Sequence, residues 1–262
     1  MQRSTVASLP ARCTAPRCCI CIVQCTSTYF GICSQFGLVD LDGAPSQHRR
    51  LETSLPCEDT GLCNCVDQPN GITCAEKAAV LAQHNLLRSQ VSPSATNMRR
   101  MKWDPKLEAV AQVHSARCVW HHNMNRGEEY RAEGGVSTPG ENNALGGSNR
   151  FTVEAFTQVF YDEVADYTFS SNSCNPGAVC GHYTQLVWAA SDLLGCGVTR
   201  CPNLVGGEQP PRQWGNRRFM VCNYFYHGNS PTVPYTSGPW CSDCPEGVVY
   251  DSAGRLCIER RA

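Results

Sequence analysis

Nineteen of the 262 residues are cysteine. That is about 7 %, several times ordinary usage, and it constrains this chain more than any other feature. Cysteine at this density belongs to oxidising compartments, where disulfides persist and cross-brace a domain. A zinc-finger protein is the alternative. It needs paired Cys-x-x-Cys and His spacings, and after residue 45 only Cys241-x-x-Cys244 fits, without a partner pair. Twenty-two Lys and Arg balance 23 Asp and Glu. No electrostatic case therefore exists for nucleic acid or an anionic membrane as the main partner. No apolar run reaches the ~18–20 residues of a membrane-spanning helix. The expectation is a secreted, extracellular protein that does not span a membrane.

The chain divides by composition. Residues 1–45 have a basic lead (Arg3, Arg12, Arg17), the short apolar run Cys18–Val23 and six cysteines. They read as a leader, an atypical signal peptide, outside the fold. Residues 46–74 end in Cys57-x5-Cys63-x-Cys65-x8-Cys74, spaced like the second half of an EGF-like module. The main domain is expected over 75–235. A short cysteine-rich extension, with Cys241, Cys244 and Cys257, follows over 236–262.

Within the main domain, Thr73-x-x-Glu76 is a capping box, and Val80, Leu81, His84 and Leu87 recur at helical spacing behind it. Asp104-Pro105 opens a second helix, with Leu107, Ala111, His114, Cys118 and His122 on one stripe. Residues 123–150, polar and rich in Gly, Asn and Glu, read as a long loop. A third helix is expected over 152–167, with Phe156, Val159, Phe160, Glu163, Val164 and Tyr167 on its inner face. Glu163 interrupts that apolar face, and a buried carboxylate needs a partner. Alternation then suggests strands at 182–188, 195–201 and 218–226. Helices followed by strands in one unit imply α+β, with helices layered on an antiparallel sheet.

Four segments, in order, resemble the CAP superfamily (cysteine-rich secretory protein, antigen 5, pathogenesis-related 1). They are His84-Asn85-x-x-Arg88, Gly140-Glu141-Asn142, Gly181-His182-Tyr183-Thr184-Gln185-Leu186-Val187-Trp188, and Val221-Cys222-Asn223-Tyr224 with Gly228-Asn229. The tail from Pro234-Tyr235 to Cys244-Pro245 resembles the peptidase-inhibitor-like and LCCL-domain branch, with three cysteines where that branch usually has four. The resemblance implies a three-layer α-β-α sandwich. It also implies the pairings Cys118–Cys201, Cys174–Cys180 and Cys196–Cys222, where spacing alone leaves 15 connectivities open for six cysteines.

The resemblance further implies a cleft tetrad of His122, Glu141, Glu163 and His182. Two imidazoles can take Zn²⁺ or another divalent cation, so His122 and His182 are the candidate metal ligands. The bland reading of the same four residues is a hydrogen-bonded network that fixes the cleft walls. Some CAP proteins bind sterols or other small lipids beside the loop that here precedes Cys174–Cys180. Tyr167 and Phe169 are the candidate ligand-binding residues on that lip. No catalytic residue is assigned: no His-Glu-x-x-His helix and no Gly-x-Ser-x-Gly elbow occur. The favoured expectation is a non-enzymatic protein that binds a small lipid, a sterol or an extracellular partner in defence, reproduction or matrix. The alternatives are a zinc-dependent hydrolase using the tetrad, and a protein-interaction module or protease inhibitor.

Overall fold

The computed structural model describes residues 57–147, 151–206, 210–229, 231–245, 248–250 and 255–259. The leader expected over 1–45 lies outside them. In chain order the elements are α1 (Cys57–Thr60), α2 (Cys74–Arg88), β1 (Lys102–Trp103), α3 (Pro105–Ala116), β2 (Val119–Trp120), α4 (Arg126–Ala132) and β3 (Gly140–Gly147). Then come α5 (Val153–Asp162), a 3-10 turn (Glu163–Asp166), β4 (Tyr167–Thr168), a second 3-10 turn (Phe169–Ser171), β5 (Ser173–Cys174) and α6 (Gly181–Leu186). The long strands β6 (Leu193–Gly206) and β7 (Gln213–Phe225) follow, and the short β8 (Val248–Tyr250) and β9 (Cys257–Glu259) complete the order.

The main sheet runs β1-β6-β7-β3, with β2 also on β6. The β6–β7 and β7–β3 ladders are antiparallel. The two-residue strands β1 and β2 join β6 in parallel. Strand alternation sorts the side chains onto two faces. Leu194, Cys196, Val198, Met220, Cys222 and Tyr224 form one core with Val80, Leu81 and Leu87 of α2 and with Phe156 and Phe160 of α5. Gly195 and Gly197 point the other way, under α3. A Cβ at either would lie 2.2–2.3 Å from the backbone of Glu108 or Gln112. Only glycine lets the helix rest this closely on the strand. Helices on both faces make the α-β-α sandwich, a mixed α+β fold.

The helix starts are written locally. Thr73 caps α2 in a capping box with Glu76, and Asp104 caps α3 with Pro105 at the first position. Several ends differ from the sequence expectation. α3 stops at Ala116, and Cys118 takes a left-handed φ of 54°. The stripe therefore never reaches His122, which follows β2 on a turn. The expected loop over 123–150 contains α4 and the edge strand β3. The third helix ends at Asp162, so Glu163 sits on a 3-10 turn, and Val159 faces solvent rather than the core. The expected strand at 182–188 is helix α6.

Disulfides hold the layers. Cys118–Cys201 ties the end of α3 to β6, and Cys196–Cys222 spans paired positions of β6 and β7. Cys174–Cys180 closes the loop before α6. Cys57–Cys63 and Cys65–Cys74 make a small knot ahead of α2, and Cys244–Cys257 staples the tail. The knot is moored by a buried ion pair. Lys77 meets Glu108 at 2.7 Å, and Glu108 also accepts from Gln68 Nε2 and Trp103 Nε1.

The His84-Asn85-x-x-Arg88 segment is architectural. The buried Arg88 guanidinium donates to the carbonyls of Arg99, Leu186, Trp188, Ala189 and Ser191. Burial lowers its pKa to about 9, so it stays charged at neutral pH. Asn85 exchanges two hydrogen bonds with the Met101 backbone. His84 donates from Nδ1 to the Val80 carbonyl and accepts at Nε2 from the Tyr224 hydroxyl. Burial brings its pKa to about 4, so the ring is neutral.

Candidate functional site

Two histidine–glutamate pairs lie on either side of Asn142 in β3. In the first, His122 Nδ1 stands 2.8 Å from Glu141 Oε1. The same oxygen accepts from the Asn123 amide at 2.9 Å and from Asn143 Nδ2 at 3.3 Å, and Asn223 Nδ2 approaches Oε2 at 3.5 Å. The Glu141 side chain is 1 % exposed and that of His122 57 %. Burial pushes the Glu141 carboxyl up. The hydrogen bonds from His122 and Asn123 lead the effects that outweigh it and hold the group below its ordinary value. Glu141 is thus a sequestered carboxylate with its acceptor sites taken, and the imidazole is its exposed end.

In the second pair, His182 Nδ1 stands 2.5 Å from Glu163 Oε1. Glu163 Oε2 accepts from the backbone amides of His182 and Tyr183, at 2.9 and 3.1 Å. Cys180, the residue ahead of α6, offers no side-chain cap. The carboxylate of Glu163 takes that place, satisfying orphan amides at the positive end of the helix. The His182 ring stacks on Phe160 at 5.3 Å, which fixes its plane. The carboxylate that interrupts the apolar pattern of 152–167 is half-buried rather than buried, and it has a specific partner.

Asn142 connects the two pairs. Its Nδ2 donates to the His182 carbonyl at 2.9 Å and lies 3.3 Å from the Tyr224 hydroxyl, which in turn meets His84. Beneath His122, buried His114 donates from Nε2 to the His121 carbonyl at 2.8 Å and pins the turn. Burial lowers its pKa, so it is neutral too. In both pairs Nδ1 faces a carboxylate, which turns Nε2 away from it. This is how a metal-ligating histidine is oriented by its second contact.

A cavity of about 480 Å³ opens at the first pair. His122, Glu141, Gln185, His227 and Asn229 are among its lining. Glu163 and His182 stand outside that lining. Among the described residues, the groups of three or more potential ligand atoms within 4.8 Å are Cys241/Cys244/Cys257 and Cys57/Glu58/Cys63. Both contain a disulfide, Cys244–Cys257 and Cys57–Cys63, whose sulfurs are no longer thiolates. The tetrad is two pairs of side chains, not one closed cluster.

The lip is ordered by its own contacts. Tyr167 and Thr168 pair with Cys174 and Ser173, and the Tyr167 hydroxyl donates to Asn172 Oδ1 at 2.6 Å. Phe169 is packed against Tyr235 at 4.6 Å between ring centres, so its face is partly covered.

The sequence profile described as "CAP: Cysteine-rich secretory protein family" matches residues 81–224, more than half of the chain. The chain belongs to the CAP family. The matched span of this CAP protein holds all four tetrad positions and all three bridges of the sandwich. Human peptidase inhibitor 16 is 37 % identical over 187 residues, covering 71 % of this chain and 37 % of its own length. Mouse glioma pathogenesis-related protein 1 is 41 % identical over 178 residues, covering 68 % and 62 %. Human cysteine-rich secretory protein LCCL domain-containing 2 is 34 % identical over 226 residues, covering 80 % and 38 %. The CAP chain thus spans between about a third and two thirds of these relatives. Among solved structures, Na-ASP-1 aligns with a TM-score of 0.57 at 25 % identity, over 74 % of this chain and 50 % of its own. NaASP2 with Zn²⁺ aligns with a TM-score of 0.51 at 23 % identity, over 68 % and 92 %, a likeness of fold alone.

Sequence reasoning passed over three members of this CAP site. Asn142 and Asn143 follow Glu141 directly and were legible only as part of the Gly140-Glu141-Asn142 segment. His227 sits between Tyr224 and Gly228-Asn229, and only its place inside a signature could have marked it.

Proposed function

We propose that this chain is a secreted, non-enzymatic binding protein whose cleft takes a divalent metal ion through His122 and His182. One observation carries the reading: each imidazole turns Nδ1 to a glutamate and leaves Nε2 for a ligand. The donor set, imidazole nitrogens with carboxylates behind them, suits Zn²⁺ and its neighbours. Bound there, such a cation would supply a Lewis-acid centre for an oxygen ligand of the partner.

The state of the carboxylates supports binding over hydrolysis. A general base needs an accessible carboxylate with a pKa near the working pH. Glu141 is buried, fully hydrogen-bonded and held low. Glu163 is occupied by His182 and by two amides of α6. The six disulfides among the described residues favour an extracellular setting. A second reading places a small lipid or sterol at the lip, supported by the exposed Val179 on the loop closed by Cys174–Cys180.

Calorimetric titration of the secreted protein with ZnCl2 tests the main reading. Saturable binding that disappears in the double variant His122→Ala, His182→Ala is expected. Equal binding by that variant overturns the reading.

A further inference from the structure

The cavity at His122 contains a second imidazole that the tetrad does not include. We infer that His227 is a metal-binding residue of this cavity, joining His122 in holding a cation of the Zn²⁺ class. The inference rests on the metal reading above and adds a ligand to it.

Four observations lead there. First, His122 and His227 both line the same 480 Å³ space, one from the turn after β2 and the other from the end of β7. Second, His122 is pre-set. Its Nδ1 is committed to Glu141, so Nε2 is the nitrogen left for a ligand, and the carboxylate behind it fixes the orientation of the ring. Third, the backbone at His227 is seated on both sides. The Gly228 amide donates to Gln185 Oε1 at 2.7 Å, and a Cβ on Gly140 would lie only 3.2 Å from His227 Cα. Gly140 directly precedes Glu141, so His227 is docked beside the carboxylate that orients His122. Fourth, the surrounding charges are already committed. Arg126, also in the lining, turns its guanidinium to the Asn123 and Pro139 carbonyls. Glu141 contributes a buried negative charge one residue from the seat of His227.

Three imidazoles, His122, His182 and His227, would leave one position of a tetrahedral zinc for water or for an oxygen atom of a partner. That is an open site, suited to capturing a ligand through the metal. Imidazole as the donor favours zinc and copper over calcium and magnesium, which prefer oxygen.

Calorimetry with ZnCl2 on the full secreted chain decides the matter, using His227→Ala, His182→Ala and His122→Ala separately. His227 is exposed, so its loss leaves the fold standing. Loss of affinity by about ten-fold or more in His227→Ala is expected, because loss of a direct ligand should cost at least as much as loss of an outer contact. Wild-type affinity in His227→Ala overturns the inference. If His122→Ala or His182→Ala still loses binding in that case, the two-histidine reading survives alone. If none of the three variants changes binding, both readings fall. Long-range ¹H–¹⁵N spectra of the histidine rings provide a check free of mutation. One equivalent of zinc should shift a ring nitrogen of both His122 and His227, and an unmoved His227 ring overturns the assignment.

Discussion

Replacing Glu141 by glutamine keeps the shape of the side chain and removes its charge. At neutral pH the carboxylate accepts from His122, Asn123 and Asn143 through one oxygen, while the other faces Asn223. A glutamine oxygen can keep the three contacts of Oε1, but as neutral hydrogen bonds. Bonds to charged groups are worth ~1.5–3 kcal/mol and neutral ones ~0.5–1.5. The two short bonds, from His122 and Asn123, therefore lose about 2 kcal/mol together. The amide nitrogen would meet Asn223 Nδ2, which also donates to the Gly140 carbonyl at 3.2 Å, so that side of the exchange can only add to the loss. The pH dependence has a definite sign. Glu141 has its folded pKa below the ordinary glutamate value of 4.5, so its contribution is present above that value and lost as pH falls through the folded pKa. The stability gap between wild type and Glu141→Gln should be at least about 2 kcal/mol at pH 7 and should close below pH 4.5. Urea unfolding at a series of pH values measures it. Zinc affinity in the variant should fall by ~10–100-fold, since the imidazole loses its orienting partner. A folded Glu141→Gln protein with wild-type zinc affinity refutes the reasoning.

Three other perturbations test separate parts of the structure. Removing Cys118–Cys201, whose partners are 83 residues apart, should cost about 4.5 kcal/mol by the chain-entropy relation, measurable by denaturant unfolding of the Cys→Ser pair. Arg88→Met strands the carbonyls that Arg88 holds and should lower stability by more than ~3 kcal/mol, seen as a collapse of the yield of secreted protein. Phe169→Ala should abolish sterol binding, measured with a fluorescent sterol, while leaving zinc titration unchanged if the lip is a separate lipid site.

What the sequence disclosed follows the range of each interaction. Thr73 and Asp104 announce their helices because a cap acts within one turn. The end of α3 was illegible because Cys118 is turned by a partner in β6. Residues 182–188 alternate like a strand, yet 181–186 coil because Glu163, almost twenty residues earlier, satisfies the amides at the start of α6. Gly140–Gly147 carries little β propensity and became a strand because β7 offered it an edge. Glu163 as an anomaly on an apolar face was visible in the pattern. His227 was not, because a lone histidine beside glycine carries no periodic signal.

Anomalous diffraction at the zinc edge, on crystals of the protein soaked in ZnCl2, tests the central claim most directly. The account predicts one strong peak ~2.0–2.1 Å from His122 Nε2, with Nδ1 still on Glu141. A well-occupied peak elsewhere, or a His122 ring turned with Nδ1 toward the metal and away from Glu141, would contradict it.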